Sequence, residues 1–148
     1  MPVHFSRRRA LQTGLALAAS LSLPAARACE FMTSTLRVTH PWTRATGHDA
    51  TTAMLCMRFD EVSETDRLIL VETPVATSAE MGGTLARPEV DFLIPQGEET
   101  YLDDSGTFVR LLGLTQPLQV GRSYPLRLGF EKGGVFNATV SVDFGRFR

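Results

Sequence analysis

Soft donor atoms are concentrated in one short stretch, Met54-Leu55-Cys56-Met57. Thioether and thiolate sulfur, joined by imidazole nitrogen, suit Cu(I). Side chains alternate along an extended segment, so Met54 and Cys56 share one face and Met57 takes the other. Beyond residue 28 the chain adds two histidines, His40 and His48, and two further methionines, Met32 and Met81. A soft site of Met54, Cys56 and either histidine is one reading. The other is that the methionines fill gaps in a core and the cysteine pairs, as it does in an oxidising compartment. His40 precedes Pro41-Trp42, where it suits bracing a turn, and His48 lies in the loop-like Gly47-His48-Asp49. Trp42, the single tryptophan, reads as a core anchor.

Catalytic chemistry finds little to work with. No glycine-rich phosphate loop, no His-x-x-His pair and no serine nucleophile elbow is present. Asp103-Asp104-Ser105-Gly106 has the side-chain acceptors of a turn rather than the ligand spacing of a calcium loop. The remaining acidic residues read as solvated faces. The chain is not expected to be an enzyme.

The N-terminus reads as a secretion signal. Arg7-Arg8-Arg9 precedes an apolar run over residues 15–23, Pro24 breaks the run, and Ala26-Arg27-Ala28 forms an A-x-A cleavage site. The run is shorter than the roughly 20 apolar residues a spanning helix needs. Ser6-Arg7-Arg8-Arg9-Ala10-Leu11-Gln12 is also similar to the twin-arginine export motif, so the general and the twin-arginine routes both stand. Cleavage after Ala28 leaves residues 29–148 in the periplasm. The removed segment holds Arg7, Arg8, Arg9 and Arg27 and no acid, which moves the formal net charge from −1 to −5. An acidic surface argues against nucleic acid and anionic membrane as partners. Two cysteines remain, Cys29 and Cys56. A disulfide between them is the default in this compartment; a lipid anchor on Cys29 and a metal-binding thiolate are the alternatives.

Period-two alternation of apolar and polar residues runs through the rest of the chain and marks half-buried strands. The clearest case is the C-terminal pair: Tyr124, Leu126, Leu128 and Phe130, then Phe136, Ala138, Val140 and Val142, joined by Glu131-Lys132-Gly133-Gly134. This is a β-hairpin whose glycines allow positive φ. Earlier strands are predicted over 36–39, 52–59, 67–75, 90–94 and 107–112. Pro125 fits only a strand start or an edge. Seven or so strands at this spacing predict one all-β domain, a sandwich or Greek-key barrel.

The order of several short motifs resembles the periplasmic PCu(A)C copper chaperones. Pro41-Trp42-Thr43-Arg44-Ala45-Thr46 comes first, followed by Asp66-Arg67-Leu68, Thr73-Pro74-Val75-Ala76 and Ile94-Pro95-Gln96-Gly97. Leu112-Gly113-Leu114, Gln116-Pro117-Leu118, Pro125-Leu126-Arg127-Leu128 and Phe130-Glu131-Lys132-Gly133-Gly134 complete the series, so that the resemblance spans residues 36–142. It implies a cupredoxin-like Greek-key β-sandwich. It also implies a soluble carrier that delivers Cu(I) to the copper-A centre of cytochrome oxidase, with a protein partner in the cell envelope. Family members hold Cu(I) with two histidines and two methionines. At the positions where the resemblance places them, this chain has Gly82, Phe108 and Arg110, and the stretch over 83–92 has no methionine. None of the four ligands carries over, and a guanidinium has no lone pair to give a metal. Cu(I) is the one cofactor left open, through the alternative donors His40, His48, Met54, Cys56 and Met81. Met81-Gly82-Gly83 reads as a flexible loop standing where the family site lies. The alternative function is a protein-interaction module of the envelope on the same scaffold.

Overall fold

The computed structural model describes residues 30–144. Its elements are all strands: β1 (Glu30–Met32), β2 (Arg37–Arg44), β3 (Thr52–Asp60), β4 (Asp66–Glu72), β5 (Ser78–Gly83), β6 (Phe92–Ile94), β7 (Thr100–Leu102), β8 (Thr107–Leu112), β9 (Ser123–Phe130) and β10 (Gly134–Asp143). They hydrogen-bond in the order β5-β8-β3-β2-β10-β9-β4-β6, with β1 on β2 and β7 on β3. All pairs are antiparallel except β10 with β2. No described helix is long and apolar enough to cross a membrane.

The sheet curls so that its inward face closes on one core. Leu55, Met57 and Phe59 of β3 bury themselves with Leu126, Leu128 and Phe130 of β9, although two strands separate β3 from β9 in the sheet. The rings of Phe59 and Phe130 lie edge to face, 6.0 Å apart. Phe130 stacks on Phe136 at 5.8 Å. The period-two pattern therefore has its expected cause. Ala53, Leu55, Met57 and Phe59 line the core, while Cys56, equally buried, sits on the outer face.

The expected C-terminal hairpin forms, with Gly134 opposite Phe130, and Gly134 takes φ 77°. Pro125 stands near the start of β9, where the pairing with β4 has already ended at Arg127; its carbonyl accepts a hydrogen bond from the Thr73 hydroxyl at 2.7 Å. The buried Asp66 carboxylate ties this hairpin to the other end of the chain. It accepts from the backbone N–H of Arg67, Lys132 and Gly133, each at 2.8 Å, and from the Thr35 hydroxyl at 2.7 Å. Burial by itself would raise this carboxyl. The N–H donors and the hydroxyl outweigh it and hold the group below the usual carboxylate range.

The strand expected over 36–39 runs on to Arg44, straight through Pro41. His40 makes this possible. It takes φ 50° at a bulge between Thr39 and Trp42, and there β2 exchanges β1 for β10 as its neighbour. A proline that donates no hydrogen bond is tolerated at such a break. The expected strand over 67–75 stops at Glu72, before Thr73-Pro74, and the one over 90–94 begins only at Phe92.

Candidate metal-site face

The loop expected at Met81-Gly82-Gly83 is a strand. β5 lies at the sheet edge and pairs with β8 along its whole length, with Glu80 opposite Arg110, Met81 opposite Val109 and Gly82 opposite Phe108. Its outer side is partly covered, because the chain folds back and Met81 and Arg87 exchange backbone hydrogen bonds of 3.0 and 3.2 Å. Two glycines in a three-residue run suggest a loop, but contacts require each. A Cβ on Gly82 would stand 2.4 Å from the Phe108 ring. One on Gly83, at φ 77°, would stand 1.9 Å from the Gly106 carbonyl oxygen.

Gly82, Phe108 and Arg110 are thus brought onto one face of adjacent strands. The Phe108 ring, 9 % exposed, lies over the bare backbone of Gly82. Arg110 stands over the ring, its guanidinium carbon 5.5 Å from the ring centre. Its Nη1 donates to Glu80 Oε1 at 3.0 Å. Across β8 the next neighbour of Arg110 is Met54 on β3. Glu80, the residue that balances Arg110, was not among the site residues expected from sequence; only a strand assignment for β5 could have revealed it.

The alternative soft donors are not gathered. Met81 is buried in the core, on the inward face of β5, and Met54 is half-buried on the outer face of β3. Cys56 is wholly buried on that outer face, opposite Trp42. Burial, then the carboxylates of Asp104 and Asp103, push its thiol up to about 12, which disfavours the thiolate a metal needs. His40 braces the β2 bulge rather than a turn, its Nε2 3.2 Å from Asp143 Oδ2. His48 is exposed between β2 and β3. Among the described residues no group of three or more His, Cys, Asp or Glu is disposed to hold a metal ion. Trp42, expected as a core anchor, is only half-buried, because the bulge turns it to the outer face opposite Cys56.

Cys56 is a free thiol in the structure, and Cys29 lies outside the described residues. The expected signal segment also lies outside the described residues.

The acidic turn expected at 103–106 is present. Asp103 Oδ1 accepts from the backbone N–H and hydroxyl of Ser105, at 2.8 and 2.7 Å. Asp104 is not a solvated acid, since it pairs with Arg44.

Residues 36–142 match the family model LpqE-like, described as a lipoprotein family. No curated protein matches the chain. Among solved structures, the apo PCuAC domain from PmoF1 is 27 % identical, covers 77 % of this chain and 98 % of its own, and superposes with a TM-score of 0.70. The copper-bound PCuAC domain from PmoF2 is 24 % identical, with coverage of 77 % and 97 % and a TM-score of 0.69. The Cu(I) form of DR1885 from Deinococcus radiodurans is 22 % identical, with coverage of 80 % and 83 % and a TM-score of 0.60. The fold is that of these domains, a cupredoxin-like β-sandwich.

Proposed function

The chain belongs to the LpqE-like family of PCu(A)C copper chaperone domains, and from that membership we propose that it is an exported copper-handling protein whose own Cu(I) position is closed. One observation carries the second half of this reading: the Phe108 ring and the Glu80–Arg110 ion pair fill the face where the resemblance places the ligands. Cu(I) needs soft donors with a free electron pair. A phenyl ring and a guanidinium supply none. Delivery to a copper-A centre, the role the family resemblance implies, then falls to this protein only together with an envelope partner that contributes donors. Residues 1–28 are the proposed signal, removed after Ala28 in the periplasm, and the protein acts as a carrier rather than a catalyst.

Titration of the purified protein with Cu(I) against a competing bidentate chelator tests the closed position. The expected result is no site tighter than micromolar. A tight one-to-one site that survives alkylation of the thiols defeats the proposal.

The Glu80–Arg110 pair also favours a second reading, an interaction module that no longer handles metal. Affinity capture from envelope extract then returns the same specific partner from copper-replete and copper-starved cells. An empty capture in both counts against it.

A further inference from the structure

Beside the closed metal position lies a depression of about 330 Å³, whose lining includes Arg44, Thr46, Thr52, Met54, Phe108 and Arg110. Its lining holds two guanidiniums and no carboxylate. Glu80 and Asp104, which balance the arginines, are not among the lining residues. Arg110 uses Nη1 on Glu80, and the Nε of Arg44 is buried with no hydrogen-bond partner. Each guanidinium has five N–H donors, so both keep donors beyond their ion pairs. We infer that this depression docks a carboxylate-bearing segment of a partner protein, two acidic side chains on alternate residues reaching Arg44 and Arg110, with their methylene stems over Met54.

Geometry sets that pattern. β2 and β8 flank β3, so Arg44 and Arg110 stand on strands about 10 Å apart, with Met54 between them. Two carboxylates on alternate residues of an extended segment suit that spacing, since same-side residues of a strand are about 6.7 Å apart and the side chains supply the rest. Guanidinium–carboxylate hydrogen bonds are among the stronger polar contacts. The inference rests on the reading that no metal occupies this face.

The test is a titration of the 15N-labelled protein with acetyl-Glu-Leu-Glu-amide, followed by backbone amide shifts. Saturable shifts confined to the amides around Arg44, Met54 and Arg110 are expected. The glutamine peptide acetyl-Gln-Leu-Gln-amide is expected to bind about tenfold more weakly, and Arg110→Gln to weaken the glutamate peptide by about the same factor. Equal affinity for both peptides, shifts elsewhere on the domain, or silence up to about 10 mM peptide overturns the inference. The peptide comparison uses the unaltered protein and so does not depend on a variant folding. The Cu(I) titration reports separately. A tight metal site would remove the premise, whereas a silent peptide titration leaves the closed metal position standing.

Discussion

Two polar clusters hold opposite parts of the sheet, and they are built differently. The Asp66 cluster is buried, and backbone N–H groups from β4 and from the turn before β10 supply most of its donors. The Glu80–Arg110 cluster joins two side chains on β5 and β8, both partly exposed, at 27 % and 37 %. Backbone donors stay wherever the fold puts them, so Asp66 is demanded by the main chain itself. Side-chain pairs at a surface are exchangeable. The structural cluster falls in two of the motifs that carry the resemblance, Asp66-Arg67-Leu68 and Phe130-Glu131-Lys132-Gly133-Gly134, while the surface pair lies on the face proposed as the closed metal position.

Asp66→Asn is expected to produce the largest effect. It exchanges one acceptor oxygen for a donor that faces N–H groups, at a cost of about 3 kcal/mol read from the urea midpoint. Its pH dependence has a definite sign. The folded carboxyl sits below its unfolded value, so the stabilisation is complete above about pH 4 and is lost as the pH falls through the lower folded value. The variant should lack that acid limb. A loss below about 1 kcal/mol with an unchanged limb would erase the contrast between the two clusters.

Gly82→His comes next. A Cβ there meets the Phe108 ring, and overpacking of this kind costs about 2 kcal/mol. Adding Phe108→His should recover at least about 1 kcal/mol of this, a coupling that separate sites would not show. The triple change Gly82→His, Phe108→His and Arg110→Met should then gain Cu(I) binding in the chelator competition. Strictly additive stabilities would mean that the ring is not what closes the face.

Cys56 sharpens the comparison from the alkaline side. Its thiol is neutral in the fold up to about 12, whereas the unfolded thiol ionises near pH 8.5–9. The stability tied to it is complete below about 8.5 and is lost as the pH rises toward about 12, a drop of about 1 kcal/mol or more that Cys56→Ser removes. Iodoacetamide should label Cys56 in urea and not in the native protein at neutral pH. Rapid native labelling would show that the outer face opens.

Arg110→Met is expected to have the smallest effect, under about 1 kcal/mol, because a partly exposed ion pair contributes little. A larger loss would place Glu80–Arg110 beside Asp66 as a fold determinant.

Much of this architecture was legible in the residues. The hairpin of β9 and β10 announces itself because one of its faces meets water and the other the core, which forces alternation. β5 was hidden for the opposite reason. Glycine reports only that a Cβ is absent, and whether the cause is a loop or a ring pressed against the strand depends on Phe108, 26 residues on in the chain. Trp42 was misplaced because a bulge at His40 reverses the alternation beyond it, and an αL conformation at a histidine leaves no mark in composition.

The sequence by itself determined an all-β domain, the hairpin and the face of β3 that meets the core, because period-two burial is a local property. Only the tertiary structure decided that Gly82, Phe108 and Arg110 share one packed face, that Glu80 balances the cation, and that Met54 and Met81 point to opposite sides of the sheet. Those facts depend on which strands become neighbours, and strand neighbours are chosen by closure of the whole core rather than by any one segment.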